Sequence, residues 1–296
     1  MLEYNELRKN YCPDYNHPVE IDVELISIFV SELERGKSSG PDDISAEHII
    51  YAHPILLSIL ARVFNLILFT ETAPASFCES FTVPIPKNSQ ATNSIVSCDD
   101  FRGIAISSVL SKLFESCLYD LYNVYFATEY NQFGFKAGMG CNHAVFCARK
   151  VISNYISHGN TANILALDIS KAFPRVNHYA LLSKLIMRKA PVALIDLLHS
   201  WLNRCSSRVR WRGFLSSVFQ LRVGVNQGSV LAPALFGIFI NDVVVACNNV
   251  YIGSILVYAD DILIIAKSVS SLQFLFDIVQ FELFKCNMML NVAKCC

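Results

Sequence analysis

The sequence predicts an α+β fold, a layer of mixed strands with helices packed on one side. Three observations carry this. Two apolar runs, Tyr251-Ile-Gly-Ser-Ile-Leu-Val-Tyr258 and Ile262-Leu-Ile-Ile-Ala266, read as buried strands joined by a tight hairpin at Ala259-Asp260-Asp261. From residue 163 the pattern changes to alternating strands and helices. The 296 residues are 53% hydrophobic and 17% charged, enough to fill a large core, which excludes a disordered chain.

The elements follow in order. Residues 1–20 are polar and rich in Asn and Tyr, and are expected to be loose. Ile21, Leu25, Phe29 and Leu33 share one helical face, and a second helix is predicted from Ser45 to Phe69. Between them Lys37 to Asp43 forms a turn-rich loop with Gly-Pro punctuation. Val83-Pro-Ile-Pro-Lys87 must be extended, because proline restricts both itself and the residue before it. Lys87 to Asp99 is polar and reads as a loop. The best helical face begins after Ser107 or Ser108, either of which suits an N-cap, and runs through Leu110, Leu113, Phe114, Cys117, Leu118, Leu121, Tyr122 and Tyr125. Asn131 to Gly140 leads to another helix. A strand ending at Asp168 precedes helices at His178–Lys189 and Val192–Cys205. A hairpin of Ser207–Gly213 with Val218–Val223 follows, then a helix over Ser229–Cys247. The Asp260/Asp261 hairpin and a helix over Leu272–Cys286 complete the chain.

Composition narrows the function. The formal net charge is −1, so any nucleic-acid binding must use local basic patches. Eleven cysteines without a C-x-x-C pair or a secretory signal indicate free thiols in a reducing, intracellular setting. Cys141, His143 and Cys147 lack a second half-site and read as core or loop residues rather than zinc ligands. The longest apolar stretch, Pro54 to Phe69, is interrupted by Arg62 and reads as a core helix, not a membrane span.

Adjacent carboxylates between two core strands need a partner, because burying an unpaired charge is costly. A divalent cation is the natural one. Asp168 ends the apolar strand Asn163-Ile-Leu-Ala-Leu167 in the same setting. Carboxylates from two chain segments are what a pair of metal ions ~3.5–4 Å apart requires in nucleotidyl transfer. The alternative for Asp168 is a cap on the following helix. Arg208, Arg210 and Arg212 alternate with Val209 and Trp211, so three cations share one strand face, with Arg204 and Arg222 nearby. Such a stripe follows a phosphate backbone or is simply a solvated face.

Asp168-Ile-Ser-Lys-Ala-Phe173, Gly224-Val-Asn-Gln-Gly-Ser-Val-Leu-Ala-Pro233 and Tyr258-Ala-Asp-Asp261 occur in that order. They resemble the palm of a reverse transcriptase, more narrowly that of non-LTR (LINE-like) retrotransposons. Gly36-Lys-Ser-Ser-Gly-Pro-Asp42, Val83-Pro-Ile-Pro-Lys87, Phe101-Arg-Gly-Ile-Ala-Ile-Ser-Ser108, Ser111-Lys-Leu-Phe-Glu115, Gln132-Phe-Gly-Phe135 and Leu290-Asn-Val-Ala-Lys294 agree with that family. The resemblance implies a right-hand polymerase fold with fingers and an antiparallel palm sheet packed on helices. Residues 1–66 would be an N-terminal extension with helices and 67–296 the reverse transcriptase domain, with fingers at about 81–160 and palm at about 161–296.

The resemblance also implies roles. Asp168, Asp260 and Asp261 would be catalytic and hold two Mg²⁺ or Mn²⁺ ions. Phe173 would exclude a 2′-hydroxyl, and Gln227 and Gly228 would lie along the nucleotide and template. Lys87 and Arg102 would reach the triphosphate, and Lys294 the pyrophosphate. The partners would be an RNA template, a DNA primer and dNTPs, with no membrane, inside a larger polyprotein with an endonuclease. The setting would be the nucleus and a cytoplasmic ribonucleoprotein. Two departures stand out: Pro174 replaces the family's usual Asp, and the chain stops just past Lys294, so the thumb is expected to be missing. These favour the alternative of a non-catalytic nucleic-acid-binding relic or a truncated fragment. A carboxylate-based phosphohydrolase would leave Gln227-Gly228 and Phe173 without a role.

Overall fold

The computed structural model describes residues 1–12, 19–87 and 97–296; most of the loop expected at Lys87–Asp99 and part of the loose N-terminal stretch lie outside them. The described elements run α1 (Leu2–Asn10), α2 (Val23–Ser31), α3 (Ala46–Ile50), α4 (Ile55–Thr70), α5 (Ala75–Cys78), β1 (Glu79–Pro86), β2 (Phe101–Ser107), α6 (Val109–Leu121), α7 (Asn123–Phe126), α8 (Cys141–Ser157), β3 (Asn163–Asp168), α9 (His178–Met187), α10 (Val192–Arg204), β4 (Ser206–Trp211), β5 (Phe214–Leu215), β6 (Phe219–Gln220), α11 (Ala232–Asn248), β7 (Gly253–Tyr258), β8 (Asp261–Ala266) and α12 (Val269–Lys285). They gather into two compact units, each made of two stretches of chain. The first is Met1–Tyr125 with Leu185–Ala232, and the second Phe126–Lys184 with Pro233–Cys296.

The first unit is organised by a sheet of order β2-β1-β4-β5, with β6 also paired to β4. β1 runs antiparallel to β2 along nearly its whole length but parallel to β4 only from Glu79 to Thr82. Pro84 and Pro86 lie beyond that overlap, where one side of β1 is unpaired and a missing N–H breaks no ladder. α6 starts as expected: the Ser108 hydroxyl accepts from the Leu110 N–H at 3.2 Å and donates to Asp42. Its apolar face meets an aromatic cluster in which Phe114 stacks on Trp201 at 5.8 Å and touches Phe64 at 5.0 Å. Pairs of this kind add about 0.5–1.5 kcal/mol beyond area burial.

Three expectations change here. Residues 2–10 are helical, not loose: Tyr4 is buried and stacks on His199, and Arg8 forms an ion pair with Asp196. The helix expected over 45–69 is two helices, because Pro54 pushes His53 out of the helical region and starts α4 afresh. The return strand of the predicted hairpin is two short pieces, β5 and β6, each antiparallel to β4.

The second unit holds a fully antiparallel sheet of order β3-β8-β7. Strand alternation gives it two apolar faces, and both carry helices rather than one. α8 packs Ala148 and Tyr155 on Leu256 and Ile265, while Leu275 of α12 lies against Gly253 on the other face. The chain beyond α12 returns along the free edge of β3. The Ser170 N–H donates to Met289 O at 2.8 Å, the Asn291 N–H to Asp168 O at 2.8 Å, and Ala166 and Cys296 exchange bonds of 2.7 and 3.0 Å.

Candidate active site

Asp168 is the last residue of β3 and Asp261 the first of β8, and the ladder sets them directly opposite each other. Cross-strand partners point to the same face with Cβ atoms about 4.5–5.5 Å apart. Asp260 occupies the hairpin turn, where its carbonyl accepts from the Ile169 N–H at 3.1 Å. The three carboxylates therefore meet at one end of the sheet, as the strand-end reading expects. The strand bond at Asp168 is why its helix-cap alternative fails: the next helix, α9, begins ten residues later, at His178.

The electrostatics at this sheet end are unbalanced. Burial, then Asp260, then Asp168 push the Asp261 carboxyl above its ordinary pKa, and Lys294 only partly opposes them. Lys294 Nζ lies 3.1 Å from Asp168 Oδ1. Among the described residues no three metal-binding side chains are already drawn into a closed cage. The donor set is nevertheless all hard oxygen and carries excess negative charge, which suits Mg²⁺ or Mn²⁺.

Phe173 opens a short 3-10 turn, Phe173–Arg175. It is half-buried, stacked on Phe236 at 5.0 Å and edge-on to Phe135 at 5.8 Å. Pro174 sits early in that turn, where its missing N–H breaks no bond. His143 is an end-cap: its Nδ1 accepts from the Gly140 N–H at 3.0 Å.

In the first unit, Lys87 and Arg102 come to one end of the β1–β2 hairpin, both exposed, where the Lys87 N–H donates to Asp100 O at 2.8 Å. The Gln227–Gly228 loop lies on β2: the Ala105 N–H donates to Gln227 O at 2.7 Å, and a Cβ on Gly228 would stand 2.3 Å from Ala105 O. Only glycine fits there, at φ +127°. Arg208 and Arg210 share a face of β4, and Arg210 stacks over Phe81 at 5.1 Å. Arg212 does not join them. It lies beyond the strand at φ +49°, because Trp211-Arg212-Gly213 is already turning. Arg204 donates to Ala73 O at 2.8 Å and ties α10 to the chain before α5, while Arg222 is exposed beyond β6.

Two functional candidates escaped sequence reasoning. Glu115, on the apolar face of α6, is fully buried and accepts from the Ser229 hydroxyl at 2.7 Å, the Leu231 N–H at 2.9 Å and the Ser111 hydroxyl at 3.3 Å. Burial pushes its carboxyl up, opposed by those bonds. Gln132 is buried against the hairpin turn. For Glu115 the available signal was a carboxylate on an otherwise apolar helix face; Gln132, next to Asn131, gave no such signal.

An antiparallel sheet ending in three carboxylates presents the donor set that divalent-metal chemistry on phosphates uses. Solved structures of telomerase from Candida tropicalis share the fold: apo telomerase truncated from its C-terminal domain has a TM-score of 0.57 at 15% identity, over 81% of this chain and 55% of that one. The telomerase complex with a telomeric RNA fragment gives 0.56 at 13%, over 82% and 44%. The family described as reverse transcriptase (RNA-dependent DNA polymerase) matches residues 85–296, and the chain belongs to it, as a domain of the non-LTR retrotransposon type. It is 28% identical to a Pol polyprotein from the type-2 retrotransposable element R2DM of Drosophila melanogaster, over 90% of this chain and 25% of the relative. It is 30% identical to a probable RNA-directed DNA polymerase from transposon BS of the same species, over 84% and 28%. It is 26% identical to the polymerase from mobile element jockey of that species, over 93% and 31%. The chain thus spans between a quarter and a third of these relatives' length.

Among the described residues no helix is long and apolar enough to cross a membrane.

Proposed function

We propose that this chain carries the RNA-directed DNA polymerase chemistry of a non-LTR retrotransposon, adding deoxynucleotides from dNTPs to a primer 3′-hydroxyl on an RNA template. The observation that carries the reading is the cross-strand pair Asp168–Asp261 with Asp260 on the adjoining turn. Two Mg²⁺ or Mn²⁺ ions held by these residues would activate the hydroxyl and neutralise the leaving pyrophosphate. Asp168, Asp260 and Asp261 bind and orient from one end of a rigid sheet. Lys294 holds Asp168 in place and supplies a proton-bearing cation at the same edge. Phe173, wedged between Phe135 and Phe236, has little room to yield, which suits steric rejection of a 2′-hydroxyl. Lys87 and Arg102 offer the triphosphate two exposed cations on one hairpin end. A polyprotein partner carrying an endonuclease fits the length of the relatives.

Of the two departures behind the relic alternative, Pro174 is accommodated by its turn without conflict. Primer extension tests the proposal. Asp260→Ala should lower the rate by at least about 10²-fold, since loss of metal-borne charge stabilisation is worth several kcal/mol. Activity within a few-fold of the parent would overturn it.

A further inference from the structure

Gln132 stands outside the carboxylate set and grips its turn. The side chain is 1% exposed. Its Oε1 accepts from the Gly134 N–H at 2.9 Å and from the Ala259 N–H at 3.3 Å. Its Nε2 is buried with no partner. The flanking backbone holds the same hairpin: the Phe133 N–H donates to Val257 O at 2.7 Å and the Val257 N–H to Asn131 O at 2.8 Å. Gly134 presses so closely that a Cβ there would stand 2.2 Å from Ala259 N.

Ala259 itself adopts φ +57°, a left-handed conformation that residues with a side chain take only at a cost. It directly precedes Asp260. An amide with one end unpaired is a poor way to fill a core, since a buried donor without a partner destabilises. What the fold retains in Gln132 is its acceptor, aimed at the N–H of the strained residue.

We infer that Gln132 is a positioning residue for the carboxylates: its Oε1 holds the Ala259 N–H and so fixes the left-handed turn that aims Asp260 and Asp261. This deepens the proposed function and rests on it. Gln132 touches none of the reacting groups; it acts through the backbone of the turn.

Mn²⁺ titration of the full chain, followed by electron paramagnetic resonance, tests the inference alongside primer extension. Gln132→Leu keeps most of the volume and removes the acceptor. Mn²⁺ affinity and kcat should each fall about 10-fold or more, the usual effect of losing a group that orients metal ligands. KM for dNTP should stay within about twofold, because in this reading the loss falls on orientation rather than on nucleotide binding. Gln132→Met carries the same expectation if the leucine variant folds poorly. Adding Ala259→Gly to Gln132→Leu should recover part of both losses, since glycine takes a positive φ without strain. Unchanged Mn²⁺ affinity and kcat in the single variants, or no recovery in the double variant, would overturn the inference. Asp260→Ala in the same titration separates the two ideas. If it leaves Mn²⁺ binding intact, the carboxylate site itself fails and the inference goes with it. If it abolishes binding while Gln132→Leu does not alter it, the inference alone fails.

Discussion

Each unit contains carboxylates that leave bulk water, and the two units treat them in opposite ways. In the first, Glu115 is fully enclosed and held by hydroxyl and backbone N–H donors. In the second, Asp168, Asp260 and Asp261 are set against one another, with a lysine bond to Asp168 as the opposing charge. A buried carboxyl held by several hydrogen-bond donors helps to specify the fold. Like charges gathered at a sheet end without enough partners weaken the fold and are kept for what they bind.

The strongest way to break this comparison is to remove one carboxylate from each side. Glu115→Ala should destabilise by about 1–3 kcal/mol, because it leaves the buried Leu231 N–H without its acceptor. Asp261→Asn should leave the melting temperature unchanged or higher, because it relieves repulsion, yet lose primer extension. Denaturant unfolding of both variants decides it. Equal destabilisation would mean that the two carboxylate sets do the same work.

A pH series sharpens the same contrast. The folded-state pKa of Glu115 is raised by burial. Its contribution is therefore fully present below the ordinary carboxylate pKa and is lost as pH rises through the raised value. Glu115→Gln cannot titrate, so the variant should gain on the parent as pH climbs from acid to neutral. Stability curves that stay parallel would show that the hydrogen bonds fully offset desolvation.

How much of this was legible in the sequence depends on range. The carboxylate hairpin, α6 and the extended β1 were readable because alternation, helical spacing and proline act over a few residues. α1 was not, because its order comes from Asp196 and His199, with Arg8 and Asp196 188 residues apart along the chain. Glu115 is hidden in the sequence because a carboxylate on the apolar face of α6 makes sense only once the loop of Ser229 and Leu231 is seen against it. Arg212 departs from the stripe because the two-residue period does not carry into a turn that continues through Gly213, at φ +85°.

The arginines extend the comparison to positive charge. Arg208→Gln with Arg210→Gln should weaken duplex binding for all sequences. It should also reduce the slope of log K against log salt by about 0.9 for each phosphate that is no longer neutralised. An unchanged slope would return both residues to a solvated face. The smallest effect is expected at Pro174→Asp, where a carboxylate in the first turn caps free N–H groups for about 1 kcal/mol. A small rise in melting temperature and in single-nucleotide incorporation should follow; a fall in both would make the proline the better residue at this turn.

The segment that returns along β3 couples two properties usually managed separately. An uncovered β3 would offer a row of free backbone groups, the kind of edge on which chains pair and aggregate. Residues 289–296 occupy that edge, and the same stretch delivers Lys294 to Asp168. Peeling it away would expose a sticky strand and strip a carboxylate of its counter-charge in one movement, so solubility and the charge balance of the metal-binding end rise and fall together.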